Sequence, residues 1–176
     1  EGQASCLPCL PGEFGNESGL LRCHKCPVGT VSETSKSTNC TNCPAGQSSE
    51  SEASAKCTSC GAGRYSDVQG RQDCQVCDEG QFRAGDDDDP KSCDACPKGY
   101  YQDTKGQASC LPCLPGQFGN ETGMQECHKC DIGKVSEKPN ATRCQACDPG
   151  KMTRSTGATS CDTCDLGTHG EKGNPG

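Results

Sequence analysis

Residues 23–43 read CHKCPVGTVSETSKSTNCTNC, and the reading of this stretch decides the fold. Two C-x-x-C pairs, Cys23/Cys26 and Cys40/Cys43, are separated by thirteen residues. Gly29 lies three residues after the second cysteine of the first pair and Val31 five after it, followed by a polar run of Ser, Thr and Lys. Moving outward in both directions, the same unit tiles the chain. All twenty cysteines fall in ten such pairs, from Cys6/Cys9 to Cys161/Cys164, with successive first cysteines 17 residues apart. One step alone is 19 residues, from Cys74 to Cys93, and its insertion lies in the acidic run Asp86–Asp89. Self-similarity at a fixed short period is the signature of a repeat array.

Other positions keep the beat. A glycine stands three residues after every second cysteine, from Gly12 to Gly167, which implies a backbone demand: a positive φ, or an approach too close for a Cβ. The fifth position carries Phe14, Val31, Ser48, Tyr65, Phe82, Tyr101, Phe118, Val135, Met152 and His169, one apolar side chain per unit with departures at Ser48 and His169. This position reads as a plug against the adjacent disulfide. Gly19, Gly70, Gly106, Gly123, Asn140 and Gly157 mark a second turn. Each unit is therefore expected to be a small β-hairpin closed by its own cysteines. A longer period overlies the short one: GQASCLPCLPG at 2–12 returns at 106–116, and CHKC at 23–26 returns at 127–130, an offset of 104 residues. The whole of 1–176 reads as one tandem array of ten such modules, cut from a longer one.

Composition agrees. Leu, Ile, Val and Phe together number sixteen in 176 residues, and there is no Trp. So few large apolar groups cannot fill one core, and without cross-links the chain would read as disordered. The net charge of −7 argues against nucleic acid. No apolar run approaches the roughly 18 residues of a membrane helix, so no direct insertion of this segment is expected.

Two chemistries use paired C-x-x-C motifs. Zinc takes two pairs at about this spacing, but here the pairs tile without a break between one four-cysteine set and the next; a zinc-binding array remains the third functional alternative. Redox chemistry of the thioredoxin kind needs one activated pair on a βαβ scaffold, which the tiling does not offer, and His24 and His128 inside the CHKC pairs read as lightly packed or solvated. Structural disulfides remain, in one of two pairings. A ladder would join first cysteine to first and second to second. A loop scheme gives Cys9–Cys23, Cys26–Cys40, Cys43–Cys57, Cys60–Cys74, Cys77–Cys93, Cys96–Cys110, Cys113–Cys127, Cys130–Cys144 and Cys147–Cys161, leaving Cys6 and Cys164 to bond residues beyond the segment. Loops are favoured, because the constant spacing then belongs to one ring and the insertion is absorbed inside Cys77–Cys93. Each such ring removes roughly 3 kcal/mol of denatured-state entropy in the chain model.

The pattern C-x-x-C-x-x-G-x-[FY]-x(8)-C-x-x-C resembles the ephrin-receptor-like cysteine-rich repeat, and it is similar to the first loop of TNF-receptor-type and EGF-like disulfide modules. Residues Cys77 to Gly85, CDEGQFRAG, are closest to the ephrin-receptor version. The resemblance implies a small disulfide-rich, extended rod of closed loops with little regular secondary structure and no helix. It also implies an extracellular setting, in receptor ectodomains or large secreted and surface proteins.

N-x-[ST] sequons occur at Asn16, Asn120, Asn140 and Asn39, in that order of expected N-glycosylation. Asn16 and Asn120 occupy equivalent G-N-E-[ST]-G turns, whereas the sequon of Asn39 contains Cys40. The Asp86–Asp89 run lacks alternating calcium ligands with a central Gly and reads as a solvated loop. The chain is expected to be a structural glycoprotein rod, secreted or on the cell surface: a stalk, spacer, coat or filament component, not an enzyme, and without a cofactor. Its expected partners are neighbouring modules or copies of itself, as in a fibre, and N-linked glycans. The alternative is a receptor or adhesion ectodomain with a protein ligand, for which Leu7, Leu10, Leu20, Leu21, Leu111 and Leu114 offer apolar surface.

Overall fold

A glycine-marked turn every 17 residues can only close if the chain after it folds back, and it does. The computed structural model describes residues 5–85 and 90–167. Its strands are two residues long and pair as antiparallel hairpins, nine among the described residues, with no helix among them. In residues 23–43, Thr30–Val31 pairs with Thr41–Asn42 in the register Thr30↔Asn42 and Val31↔Thr41. The returning strand is therefore the dipeptide inside C-x-x-C. The same register recurs from Glu13↔Lys25 at one end to Lys151↔Thr163 at the other.

The disulfides follow the loop scheme. Nine bonds join the second cysteine of each pair to the first of the next, eight at a separation of 14 residues and Cys77–Cys93 at 16. The insertion thus widens one ring and disturbs no other. Within the chain Cys6 and Cys164 are unpaired.

The chain divides into two compact units, Glu1–Cys77 with Arg83–Cys93, and Asp78–Phe82 with Asp94–Gly176. In the first, backbone bonds tie each ring to the next at several points. Gly12 N–H donates to the Ser32 carbonyl (2.8 Å), Cys26 N–H to the Gly12 carbonyl (2.9 Å), and Lys36 N–H to the Cys9 carbonyl (2.9 Å). One ring further on, the three equivalents are Gly29 to Ser49, Cys43 to Gly29 and Ala53 to Cys26. The second unit repeats the scheme on its own residues: Gly116 donates to Ser136, Cys130 to Gly116 and Asn140 to Cys113.

Two glycine demands foreseen as alternatives turn out to coexist at the third position. Gly12 has φ +87°, and a Cβ there would overlap the Ala53 carbonyl, two rings away. Gly116 stands in the same relation to the Gly157 carbonyl. The second turn is less strict. Its left-handed residue is Lys36 (φ 65°), Ala53 (56°) or Asn140 (53°) where no glycine is present, so two of these turns carried no glycine or asparagine to announce them.

The interior is built from sulfur and hydroxyl. Cys26, Cys43, Cys77, Cys96, Cys113 and Cys130 are wholly buried. Six residues after the second cysteine, among the described residues and where the residue is not Gly15 or Gly119, the side chain is polar and buried: Ser32, Ser49, Ser66 and Arg83 in the first unit, and Gln102, Ser136 and Thr153 in the second. This position carries no signal in the sequence, since Ser and Gln look like loop residues. Each has a partner, as buried polar groups must, and Thr153 finds its own in Gly133 N–H, 20 residues back. Ser32, Ser49, Ser66 and Ser136 donate to the carbonyl two residues on, and Gln102 donates to the Ser109 carbonyl while accepting from Thr104 N–H.

Candidate functional site

Function on such a chain has to come from what the repeat leaves exposed or from where it departs from its own rule. The largest departure is Arg83, at the sixth position of the widened ring and 2% exposed. Its Nη1 donates to the carbonyls of Cys60 (3.0 Å), Gly61 (3.0 Å) and Arg64 (2.8 Å), while its own carbonyl accepts from Gly63 N–H. The guanidinium clamps the turn of the preceding ring. This is scaffolding, not chemistry.

The fifth-position plug is partly as expected. Val31 and Val135 are buried, and Phe14, Tyr65, Phe82, Tyr101, Phe118 and Met152 half-buried. Ser48 is buried with its hydroxyl 3.4 Å from Sγ of Cys74, against the disulfide of the next ring. Phe14 and Phe118 instead face the cross-strand rings of His24 and His128, at 5.4 and 5.6 Å between centroids. His169 and the acidic run Asp86–Asp89 lie outside the described residues.

Among the described residues no cluster of His, Cys, Asp and Glu is arranged to hold a metal. The zinc alternative is corrected by the sulfurs themselves: eighteen of the twenty cysteines are spent in disulfides, and the thiolates that zinc requires are not there. Among the described residues, open polar hollows lie beside Glu50, Arg64, Gln72 and Asp73 (about 450 Å³) and over Ser48, Ser51, Ser54 and Lys56 (about 270 Å³). Neither holds a nucleophile with a base aimed at it. Ion pairs are exposed: Arg71 with Asp67 (2.8 Å) and Lys105 with Asp78 (2.8 Å). The hydrogen bond from Arg71 holds the Asp67 carboxyl below its usual range, and the bond to Asp78 raises the Lys105 ammonium.

The surface offers two kinds of feature. Of the six leucines foreseen as apolar surface, Leu7, Leu10, Leu21, Leu111 and Leu114 are exposed, as is Ile132, whereas Leu20 is half-buried. All four sequon asparagines, Asn16, Asn39, Asn120 and Asn140, are exposed as well. No helix among the described residues is long and apolar enough to cross a membrane.

The family described as tyrosine-protein kinase ephrin type A/B receptor-like matches residues 1–43, 12–56 and 86–124, together more than half of the chain. No curated protein matches it. What matches is a receptor-like cysteine-rich module and not an enzyme family, and disulfide-rich modules of this kind imply an extracellular or secreted setting.

Proposed function

The chain belongs to the ephrin type A/B receptor-like family of cysteine-rich modules, and from that premise we propose that it serves outside the cell as a structural spacer, a glycoprotein rod whose length is set by the number of modules. One observation carries the reading. Within each unit every ring is bonded to the next through backbone groups as well as through the C-x-x-C strand, as by Gly12 to Ser32, Cys26 to Gly12 and Lys36 to Cys9. A joint pinned at several points has little freedom, so adding a module adds a fixed increment. Nearest-neighbour construction of this kind makes a repeat protein a ruler.

Small-angle scattering tests the proposal. The oxidised chain should give a radius of gyration well above the ~16 Å of a compact chain of this length. Inserting a further copy of residues 127–143 should lengthen it by a constant step. A value at the compact limit, unchanged by the insertion, would overturn the spacer reading.

The exposed leucines favour a second reading, a ligand-binding ectodomain. In that case Leu111→Ser with Leu114→Ser would abolish binding of the labelled chain to intact cells while leaving its scattering profile unchanged.

A further inference from the structure

Four sequons are exposed, but the structure does not treat their asparagines alike. Asn16 and Asn120 follow the first strands of their hairpins, Glu13–Phe14 and Gln117–Phe118, at the same place in the module and 104 residues apart. Each leads into a bend that turns at Gly19 or Gly123. Among the described residues neither side-chain amide makes a hydrogen bond. Asn39 differs: Cys40, the middle of its sequon, is in the Cys26–Cys40 disulfide, and Thr41 is paired with Val31 in the hairpin. Asn140 differs more. It holds the left-handed turn position with φ 53°, its N–H donates to the Cys113 carbonyl (2.8 Å), and its carbonyl closes over Gly99. Its side-chain Nδ2 donates to the Tyr100 hydroxyl at 3.1 Å, forty residues back in the sequence.

We propose that Asn16 and Asn120 are the N-glycan acceptors of this chain, and that Asn140, in spite of its sequon, is a positioning residue whose amide is committed to Tyr100. Asparagine suits that position because its short polar side chain tolerates left-handed backbone better than other non-glycine residues. The transfer joins Nδ2 to the anomeric carbon of an oligosaccharide carried on a lipid pyrophosphate. The C–N bond forms, the amide gives up one proton, and the sugar–oxygen bond breaks with its electron pair leaving on the pyrophosphate. An amide free in solvent on an exposed bend can be drawn into that reaction. One held in a left-handed turn, with one of its two N–H groups on the Tyr100 hydroxyl, is turned away from that reaction once the turn has closed.

The inference rests on the extracellular reading, because the sugar donor is met on the secretory route. The test is expression of the full chain in secreting animal cells, followed by peptide N-glycosidase in heavy-oxygen water and peptide mass analysis. That treatment converts each occupied Asn to a heavy Asp. Heavy Asp is expected at 16 and 120 and not at 39 or 140. Thr142→Ala, which destroys the sequon and spares Asn140, should leave the intact mass short of nothing but the substitution. Asn140→Gln should likewise keep both glycans, yet lower the unfolding midpoint of the enzymatically deglycosylated chain, where Asn120→Gln does not. Occupancy at Asn140 equal to that at Asn16, or loss of a glycan in Thr142→Ala, would overturn the assignment. A secreted, disulfide-bonded chain without any glycan would sink this inference alone and leave the spacer standing. A chain retained in the cell with reduced cysteines would defeat the extracellular reading and this inference with it.

Discussion

One methyl group separates two outcomes along the third position of the repeat. At Gly116 (φ +83°) a Cβ would run into the Gly157 carbonyl, whereas at Gly150 (φ +79°) nothing lies within 4 Å. Gly150→Ala should therefore cost only the left-handed penalty of about 1–2 kcal/mol. Gly116→Ala adds a displaced backbone and should cost about 3 kcal/mol or more; denaturant unfolding with disulfides intact compares them. Arg83→Ala should be of similar severity, about 3 kcal/mol, since it leaves the carbonyls of Cys60, Gly61 and Arg64 without the donor that reaches them. Restoration of the parent midpoint by Arg83→Ala would show that water replaces the guanidinium. At the surface the effect is small and has a definite sign. Asp67 is held below the usual carboxylate range by Arg71, so what the pair contributes is present above the ordinary Asp pKa and lost as pH falls through the lowered one. The gap in stability between the parent and Asp67→Asn should be largest at neutral pH and vanish in acid.

At the scale of the element, position six and position eleven compensate each other. Where position six is glycine, a large apolar side chain fills the space. The Cβ of Gly15 would meet Leu20 Cδ1 and Cys9 Sγ at 3.3 Å, and that of Gly119 would meet Met124 Sδ and Cys113 Sγ at 3.2 Å and Gly99 N at 3.0 Å. Gly119→Ser should destabilise by about 1–3 kcal/mol, and Met124→Ala should relieve part of that in the double variant, a coupling that a double-mutant cycle reads directly. This pairing explains what was legible beforehand and what was not. The hairpin, the ring closures and the third-position glycine could be read because each needs a residue with few substitutes: Cys for the bond, Gly for the turn. Column six could not be read, because Ser, Thr, Gln, Arg and Gly all serve there, the two glycines beside a large residue at position eleven. The left-handed turns at Lys36 and Ala53 were silent for a related reason: they are pinned by neighbouring backbone bonds, so tertiary context overrides their local preference. Of the surface features, the sequons and exposed leucines were in view from the start. The tie between Asn140 and Tyr100 was not, since it spans forty residues.

At the scale of the molecule, cross-links replace a core. Each ring contributes about 3 kcal/mol in the chain model, and the sixteen large aliphatic and Phe residues cannot substitute for nine of them. Replacing Cys130 and Cys144 together by Ser should cost about that amount. Amide exchange should quicken across residues 130–144 and in the rings bonded to them through Gly116 and Gly157. Full reduction should leave a chain with the circular dichroism of an unfolded one, and recovery on re-oxidation would then depend on reforming the nearest-neighbour pairs.

The buried column of Ser, Gln, Arg and Thr has a calorimetric meaning. Heat capacity rises on unfolding because apolar surface becomes hydrated, while newly exposed polar groups lower it. A chain whose interior is disulfide and hydroxyl uncovers little of the first and a good deal of the second. Its heat capacity increment should fall well below the ~12–15 cal/mol/K per residue of ordinary globular proteins. The curve of free energy against temperature then loses most of its curvature, and stability in the cold differs little from stability in the warm. Such a scaffold would keep its shape across a temperature range that loosens oil-filled proteins at both ends.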